Sequence, residues 1–287
     1  MASNNSPLAS WETYAPSWDK GMGDEGNEYF RFLELPILEK LIGKLEGCHA
    51  IDLATGNGLV ARWLAQKGAS VIATDGAVTM IDRAKARTHI FLGEHKISFQ
   101  CLDVTDQSSW DEFMVIDNQL MNGGFEVITM NMALMDIQDL EPLARSLKKL
   151  LKPNGCFVAT LLHPLFFTSG AARQVVVRED PGTGQRIVDR SIVVTKYLNV
   201  PPARQLVLKG ETESPYLFHR PLSQLFAPFF KAGLAVDALE ETNFDERLSD
   251  PDEAHVCELD GQGSLQALRD TAEAIEYIRN VKLWGWL

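Results

Sequence analysis

A glycine-rich turn and the aspartate that follows it carry the first chemical signal in this chain. The turn reads Asp52-Leu53-Ala54-Thr55-Gly56-Asn57-Gly58, and Asp75 stands about twenty residues further on. Small residues at alternate positions let a backbone approach a ligand closely, and a helix beginning just after them presents free N–H groups. Taken alone, such a loop is equally well a tight strand-to-helix turn. A carboxylate at the end of the next strand changes that balance, because it can accept from both hydroxyls of a ribose. Many nicotinamide enzymes share this feature, so the glycine spacing must discriminate. A dinucleotide fingerprint needs a third glycine for close packing of helix on strand. Here Leu59 follows Gly58 directly and the spacing is small-x-Gly-x-Gly, which keeps no helix N-terminus clear for a pyrophosphate. The expected ligand has a ribose and no pyrophosphate.

Two histidines come next. His163, followed by Pro164, sits at the tip of an apolar run, and His219 is followed by Arg220. A histidine near neutrality is the usual proton acceptor when a nucleophile arrives protonated. The plainer alternative is that both shape a pocket. His89, His95 and His255 lie in polar stretches and carry no signal. Asn131, Asp136 and Asp139 raise the question of Mg²⁺, but the two aspartates stand at helix-start spacing, where capping explains them. No metal is expected. The four cysteines, Cys48, Cys101, Cys156 and Cys257, are far apart, and three lie in apolar runs where a thiol acts as a small hydrophobe.

These residues must be positioned by the elements between them. Apolar runs over 48–54, 70–74, 97–102, 125–130 and 156–162 read as strands, and periodic stretches over 59–67, 78–88 and 140–151 read as helices. Strand and helix alternating at this spacing means βαβ units, a parallel sheet and helices on both faces. Ligands then bind beyond the carboxyl ends of the strands, where the turn, Asp75, Asp103, Asn131 and His163 all fall. Before this region, Trp11, Tyr14 and Trp18 recur at helical spacing on one face, although Pro16 strains that reading. After it, 174–178 and 187–197 read as a long hairpin that interrupts the βα series. A helix over 222–232 and a strand over 234–241 resume it, and a further helix is expected over 265–278.

The chain has 287 residues and a net charge of −12, with basic residues scattered rather than clustered. That argues against nucleic acid or an anionic membrane as the main partner. No run is long and apolar enough to span a bilayer, and the opening residues MASNNSPLAS lack a basic start and an apolar stretch. A cytoplasmic location is expected.

IDLATGNG, VIATDGAVTMIDRAKAR, CLDVTD, FEVITMNMALMDIQD and LLKPNGCFVA follow one another over about 48–163. In order and spacing the chain resembles the class I S-adenosylmethionine-dependent methyltransferases. It is most similar to small-molecule members with a W…MG.EGN…R start, an HP after strand five and a later HRPLS. Those motifs stand here as Trp18…Met22-Gly23-Asp24-Glu25-Gly26-Asn27…Arg31, His163-Pro164 and His219-Arg220-Pro221-Leu222-Ser223.

The resemblance implies a doubly wound, mostly parallel seven-stranded sheet and S-adenosylmethionine as cofactor, with a small-molecule methyl acceptor. It implies that Asp52, Ala54, Gly56, Asn57 and Gly58 lie under the methionine and ribose portions, and that Asp75 and Gly76 flank the ribose. Met80 would lie against adenine, with Asp103 and the Val104 N–H at its amine. Asn131 would serve the methionine ammonium and Arg31 its carboxylate, and Tyr14 and Trp18 would belong to a lid. His163 and His219 would face the reacting methyl. The implied division is a helical lid over 1–45, a cofactor-binding core over 46–164, an acceptor-side insertion over 165–220, and the end of the core with an acidic tail over 221–287.

Two departures stand out. Ala54 replaces the first glycine of the family turn, and no convincing partner strand follows 234–241, so a helix over 265–280 could cover the sheet edge or join a second subunit in a homodimer. Two rival functions remain open: a nicotinamide-dependent oxidoreductase, and a non-catalytic cofactor-binding protein on the same scaffold.

Overall fold

Strands buried on both faces need apolar side chains at nearly every position, and five runs, the third of them a partly exposed edge strand, build the centre of the molecule. They are β1 (His49–Leu53), β2 (Ser70–Asp75), β3 (Ile97–Cys101), β4 (Phe125–Asn131) and β5 (Leu151–Leu162), and these five pair with one another in parallel. A computed structural model describes residues 6–88, 97–116, 123–204, 214–242 and 278–285. Alternation splits each strand's side chains between two cores. Ile51, Leu53, Ile128, Met130 and Phe157 face one, while Ala50, Val71, Val127 and Val158 face the other.

Helices cover both layers. Trp110 and Phe113 of α5 (Gln107–Ile116), Leu143 and Leu147 of α6 (Glu141–Leu150) and Phe229 of α7 (Leu222–Lys231) close the first core. Leu38 and Leu41 of α2 (Leu35–Ile42) and Ala61 and Leu64 of α3 (Leu59–Gln66) close the second. The periodicities over 59–67, 78–88, 140–151 and 222–232 therefore mark real helices. The sequence reading assigned nothing to α5.

The strand order is β10-β11-β5-β4-β1-β2-β3. Here β10 is Leu234–Thr242 and β11 is Ile278–Gly285. The expectation of a sheet edge without a partner strand is corrected: β11 lies between β5 and β10, antiparallel to both. Its register places Ile278 opposite Leu162 and Trp284 opposite Cys156, so the sheet has seven strands. The expected helix over 265–278 falls outside the described residues except at its last position, which is strand. Among the described residues no helix is long and apolar enough to cross a membrane.

Two features lie outside the sheet. β6 (Ala171–Glu179) and β7 (Arg186–Val194) form the expected hairpin, with Ala171 opposite Val194 and Glu179 opposite Arg186. Before the sheet, α1 (Pro7–Met22) runs through Pro16 and is capped by the Ser6 hydroxyl, which accepts from the Ala9 N–H at 3.1 Å. Tyr29 then leads into a π-helical turn over Phe30–Glu34, where the Leu35 N–H reaches back to the Phe30 carbonyl.

Candidate active site

In this strand order β1 has β2 on one side and β4 on the other, so the order reverses between β1 and β4. A crevice at the carboxyl ends of the strands opens at such a reversal. Two non-glycine residues with left-handed backbone flank it: Ala54 after β1, with φ +51°, and Met132 after β4, with φ +53°. Strain of this kind gathers at functional sites because the surrounding structure must hold it there.

The loop after β1 is braced from below. Asp52 is buried and accepts from the Thr55 hydroxyl at 2.6 Å and the Thr129 hydroxyl at 2.7 Å, joining loop, β1 and β4. Burial pushes its carboxyl up to about 6, and the two hydroxyl donors limit that rise. Gly56 and Gly58 follow with φ of +57° and +82°, conformations closed to most side chains. A Cβ on Gly58 would lie 3.2 Å from that of Ala84, so the turn also needs the missing side chain for packing. At Ala54 the methyl group costs about 1–2 kcal/mol in this conformation, partly offset by the greater unfolded-chain entropy of glycine. Ala54→Gly is therefore expected to raise stability by roughly 0.5–1 kcal/mol. A melting temperature equal to or below wild type would contradict this.

Asp75 at the end of β2 is held by the loops on either side. Its Oδ2 accepts from the Gly56 N–H and its Oδ1 from the Ala77 N–H, both at 2.9 Å. Burial raises this carboxyl to about 6; the two N–H donors oppose the rise, and the nearby carboxylates of Asp52 and Glu12 add to it.

The N-terminal helix lies directly on these loops. Trp11, Tyr14 and Trp18 form one aromatic cluster, with ring centroids 5.6–6.5 Å apart. Leu8, Trp11, Ala15 and Trp18 pack against Ala77 and the buried Met80. A Cβ on Gly56 would meet the Trp18 indole nitrogen at 3.3 Å, and one on Gly76 would meet Leu8 at 2.9 Å. Glu12 caps α4 (Val78–Thr88), accepting from the Val78 N–H at 2.6 Å and the Thr79 N–H at 3.0 Å. Asp19 pairs with Arg83 and Arg87, while the Asn57 amide donates to Asp19 and to the Gly23 carbonyl. Asn57 thus ties the turn to the end of α1.

Two further residues singled out in the sequence turn out to have local partners. Asp103 accepts from the Thr105 N–H at 2.9 Å and the Thr105 hydroxyl at 2.7 Å, a turn cap. The Val104 carbonyl accepts from the Trp110 indole at 3.0 Å. Arg31 is exposed, with its guanidinium 5.5 Å from the centre of the Phe32 ring. The same π-helical turn buries Glu34 instead, and the Asn131 amide donates to its carboxyl at 2.7 Å. Sequence reasoning missed Glu34, because a glutamate in an amphipathic stretch reads as part of its exposed face.

The two histidines sit near the end of β5 in different states. His163 is buried; its Nδ1 accepts from the Leu165 N–H at 3.0 Å and its Nε2 lies 3.4 Å from a Glu241 carboxylate oxygen. His219 places Nε2 2.6 Å from the Tyr197 carbonyl. A carbonyl can only accept, so Nε2 carries a proton, and in the neutral ring Nδ1 keeps its lone pair. Nδ1 is buried and has no hydrogen-bond partner among the described residues. Of the two aspartates after β4, Asp139 caps α6 by accepting from the Glu141 N–H at 2.9 Å. Asp136 instead has its carboxyl pushed well above the ordinary range by burial. Among the described residues no three His, Cys, Asp or Glu side chains group as a metal site. Beyond Phe166 and Phe167, a cavity of about 300 Å³ lies between the base of the hairpin, at Arg173 and Ile192, and the short antiparallel pair β8 (Ala203–Arg204) and β9 (Tyr216–Leu217).

A family model described as a methyltransferase domain matches residues 28–178, more than half of the chain. Among curated proteins, the ubiquinone biosynthesis O-methyltransferase of Coxiella burnetii is 31% identical over 123 residues, covering 43% of this chain and 47% of the relative. The chain thus matches about half the length of that relative. Among solved structures, an S-adenosylmethionine-dependent methyltransferase from Mesorhizobium loti aligns with a TM-score of 0.58 at 20% identity, covering 88% of this chain and 97% of that one. Another from Clostridium acetobutylicum aligns with a TM-score of 0.53 at 12% identity, covering 96% and 98%. At such identities these likenesses establish the fold.

Proposed function

The chain belongs to the methyltransferase-domain family, and from that premise we propose that it moves a methyl group from S-adenosylmethionine to a small, partly apolar acceptor. The observation that carries this reading is the reversal of strand order between β1 and β4, with a carboxyl at either side: the half-buried Asp75 at the end of β2, and the buried Glu34 against Asn131 at the end of β4. A nucleoside joined to an amino acid offers a diol at one end and an ammonium at the other, and these residues fit both. A dinucleotide offers the same diol but phosphates in place of the ammonium, and the Glu34 carboxyl does not suit an anion.

When bound, the cofactor supplies a methyl carbon already activated on a sulfonium. The protein's work is alignment, exclusion of water and, for a protonated acceptor, removal of one proton. Asp75 accepts from the ribose hydroxyls while staying tied to the Gly56 and Ala77 N–H groups. α1 covers the crevice with Trp11, Tyr14 and Trp18 and shuts out water. The cavity beside Phe166 and Phe167 receives the acceptor, with Ile192 and Leu217 for a partly apolar body and Arg173 and Arg204 for its polar groups. The curated relative's name, an O-methyltransferase of ubiquinone biosynthesis, favours an oxygen nucleophile on such a body. Proton removal falls to Nδ1 of His219, and His163 braces the end of β5.

Titration calorimetry with S-adenosylmethionine, S-adenosylhomocysteine and NADH separately tests the cofactor. Binding of the first two alone is expected; binding of NADH alone would replace this reading with an oxidoreductase. Binding without turnover of any phenol, amine or thiol acceptor offered would favour a non-catalytic protein. Because α1 contributes the cover, deletion of residues 1–27 is expected to weaken cofactor binding and lower turnover with the sheet intact by circular dichroism. Full turnover by the truncated protein would remove α1 from the mechanism.

A further inference from the structure

The π-helical turn over Phe30–Glu34 is a rare way to continue a helix, and such turns are frequent at functional sites. This one turns a carboxyl inward. Glu34 is only 4% exposed, and among the described residues the one hydrogen bond to its carboxyl comes from Nδ2 of Asn131 at 2.7 Å. Asn131 has no freedom to present the amide otherwise. Its Oδ1 accepts from the Thr160 hydroxyl at 2.6 Å, and the Thr160 oxygen in turn accepts from the Met132 N–H at 2.8 Å. Met132 is the strained residue just after β4. A carboxyl has about four acceptor positions, and burying it with one filled is costly unless a cation completes the set. Burial raises this carboxyl to about 7, against the lowering effect of the Asn131 bond, so it is poised to ionise when positive charge arrives.

We propose that Glu34, held in place by Asn131, is the carboxylate that receives the α-ammonium at the methionyl end of the cofactor. The inference rests on the S-adenosylmethionine reading and adds a residue of the N-terminal segment to its recognition. Position supports it. Asp75 ends β2 and Asn131 ends β4, with β1 and its glycine turn between them. Two strand spacings separate those ends, about 10 Å, comparable to the span from ribose hydroxyls to amino group in an extended S-adenosylmethionine. An ammonium brings three donors, enough to fill the acceptor positions that the single Asn131 bond leaves open.

The test compares S-adenosylhomocysteine with 5′-methylthioadenosine, which keeps the nucleoside and lacks the amino-acid end. Calorimetry on the full chain is expected to show Glu34→Gln binding S-adenosylhomocysteine about 10- to 100-fold more weakly. Its affinity for 5′-methylthioadenosine should equal that of wild type, which also reports an intact crevice. Glu34→Asp, which keeps the charge one methylene shorter, should recover part of the loss. Wild-type affinity for S-adenosylhomocysteine in Glu34→Gln overturns the proposal, as does an equal loss for both ligands, which would make Glu34 a structural support. If wild type binds neither ligand, the cofactor reading itself falls, and this inference with it.

Discussion

Replacing His219 by alanine is expected to lower turnover by about 10²–10⁴-fold, the usual worth of a positioned general base, while leaving cofactor affinity nearly intact. The expectation follows from which nitrogen holds the proton. The Tyr197 carbonyl fixes Nε2 as the donor at 2.6 Å. Tyr197 is itself pinned, since its hydroxyl accepts from the Leu222 N–H at 3.0 Å. In the neutral ring Nδ1 is a buried lone pair with no partner among the described residues, the form in which an imidazole removes a proton. His219 also lines a water-sized space of about 20 Å³ with Leu161, Pro164 and Phe167, so it stands beside the loop that leaves β5. His163 differs because its ring is braced by the Leu165 N–H and by Glu241. His163→Ala is expected to lower thermal stability and to change the rate far less. If His219→Ala methylates at the wild-type rate across pH 6–9, catalysis is by alignment alone. A large rate loss in a stable His163→Ala would move proton transfer to the other histidine.

Asp75→Ala is expected to weaken S-adenosylmethionine binding by about 1.5–3 kcal/mol, the range for hydrogen bonds to a charged group. The carboxylate also accepts from the Gly56 and Ala77 N–H groups, so the variant loses two loop contacts and some stability. Affinity must therefore be measured by calorimetry at a temperature where denaturation curves show the variant folded. Unchanged affinity under those conditions would remove Asp75 from the site. The pH dependence carries an independent signature. Burial, with Asp52 and Glu12 nearby, holds the unliganded carboxyl at about 6, and hydroxyl donors favour its ionised form. Affinity should rise as pH increases through about 6 and then level off, and this rise should vanish in Asp75→Ala. For the unliganded fold the sign is opposite. A raised acid contributes stability that is fully present below its unfolded value of 3.8 and is lost as pH rises through about 6.

The sequence by itself determined the alternating core, the glycine turn and the position of Asp75. Each is written within a short window: apolar runs for β1 to β5, helical periodicity for α3, α4 and α6, and a turn whose glycines need left-handed backbone. The Trp11, Tyr14 and Trp18 spacing determined one aromatic face in the same way. What that face covers was decided only by tertiary structure, since α1 lands on Gly56, Gly76 and Met80 far along the chain. The tertiary structure also decided β11, whose register depends on β5 more than a hundred residues earlier and on β10 across a long connection. Glu34 went unread for a related reason. Hydrophobic period places a glutamate on the outside of a helix, and the π-helical turn and Asn131 bring it inside. The two histidines looked alike in the sequence because a ring's proton is placed by its partners. Tyr197 holds one and Glu241 the other, and both partners are brought near only when the insertion and β10 fold back onto the end of β5.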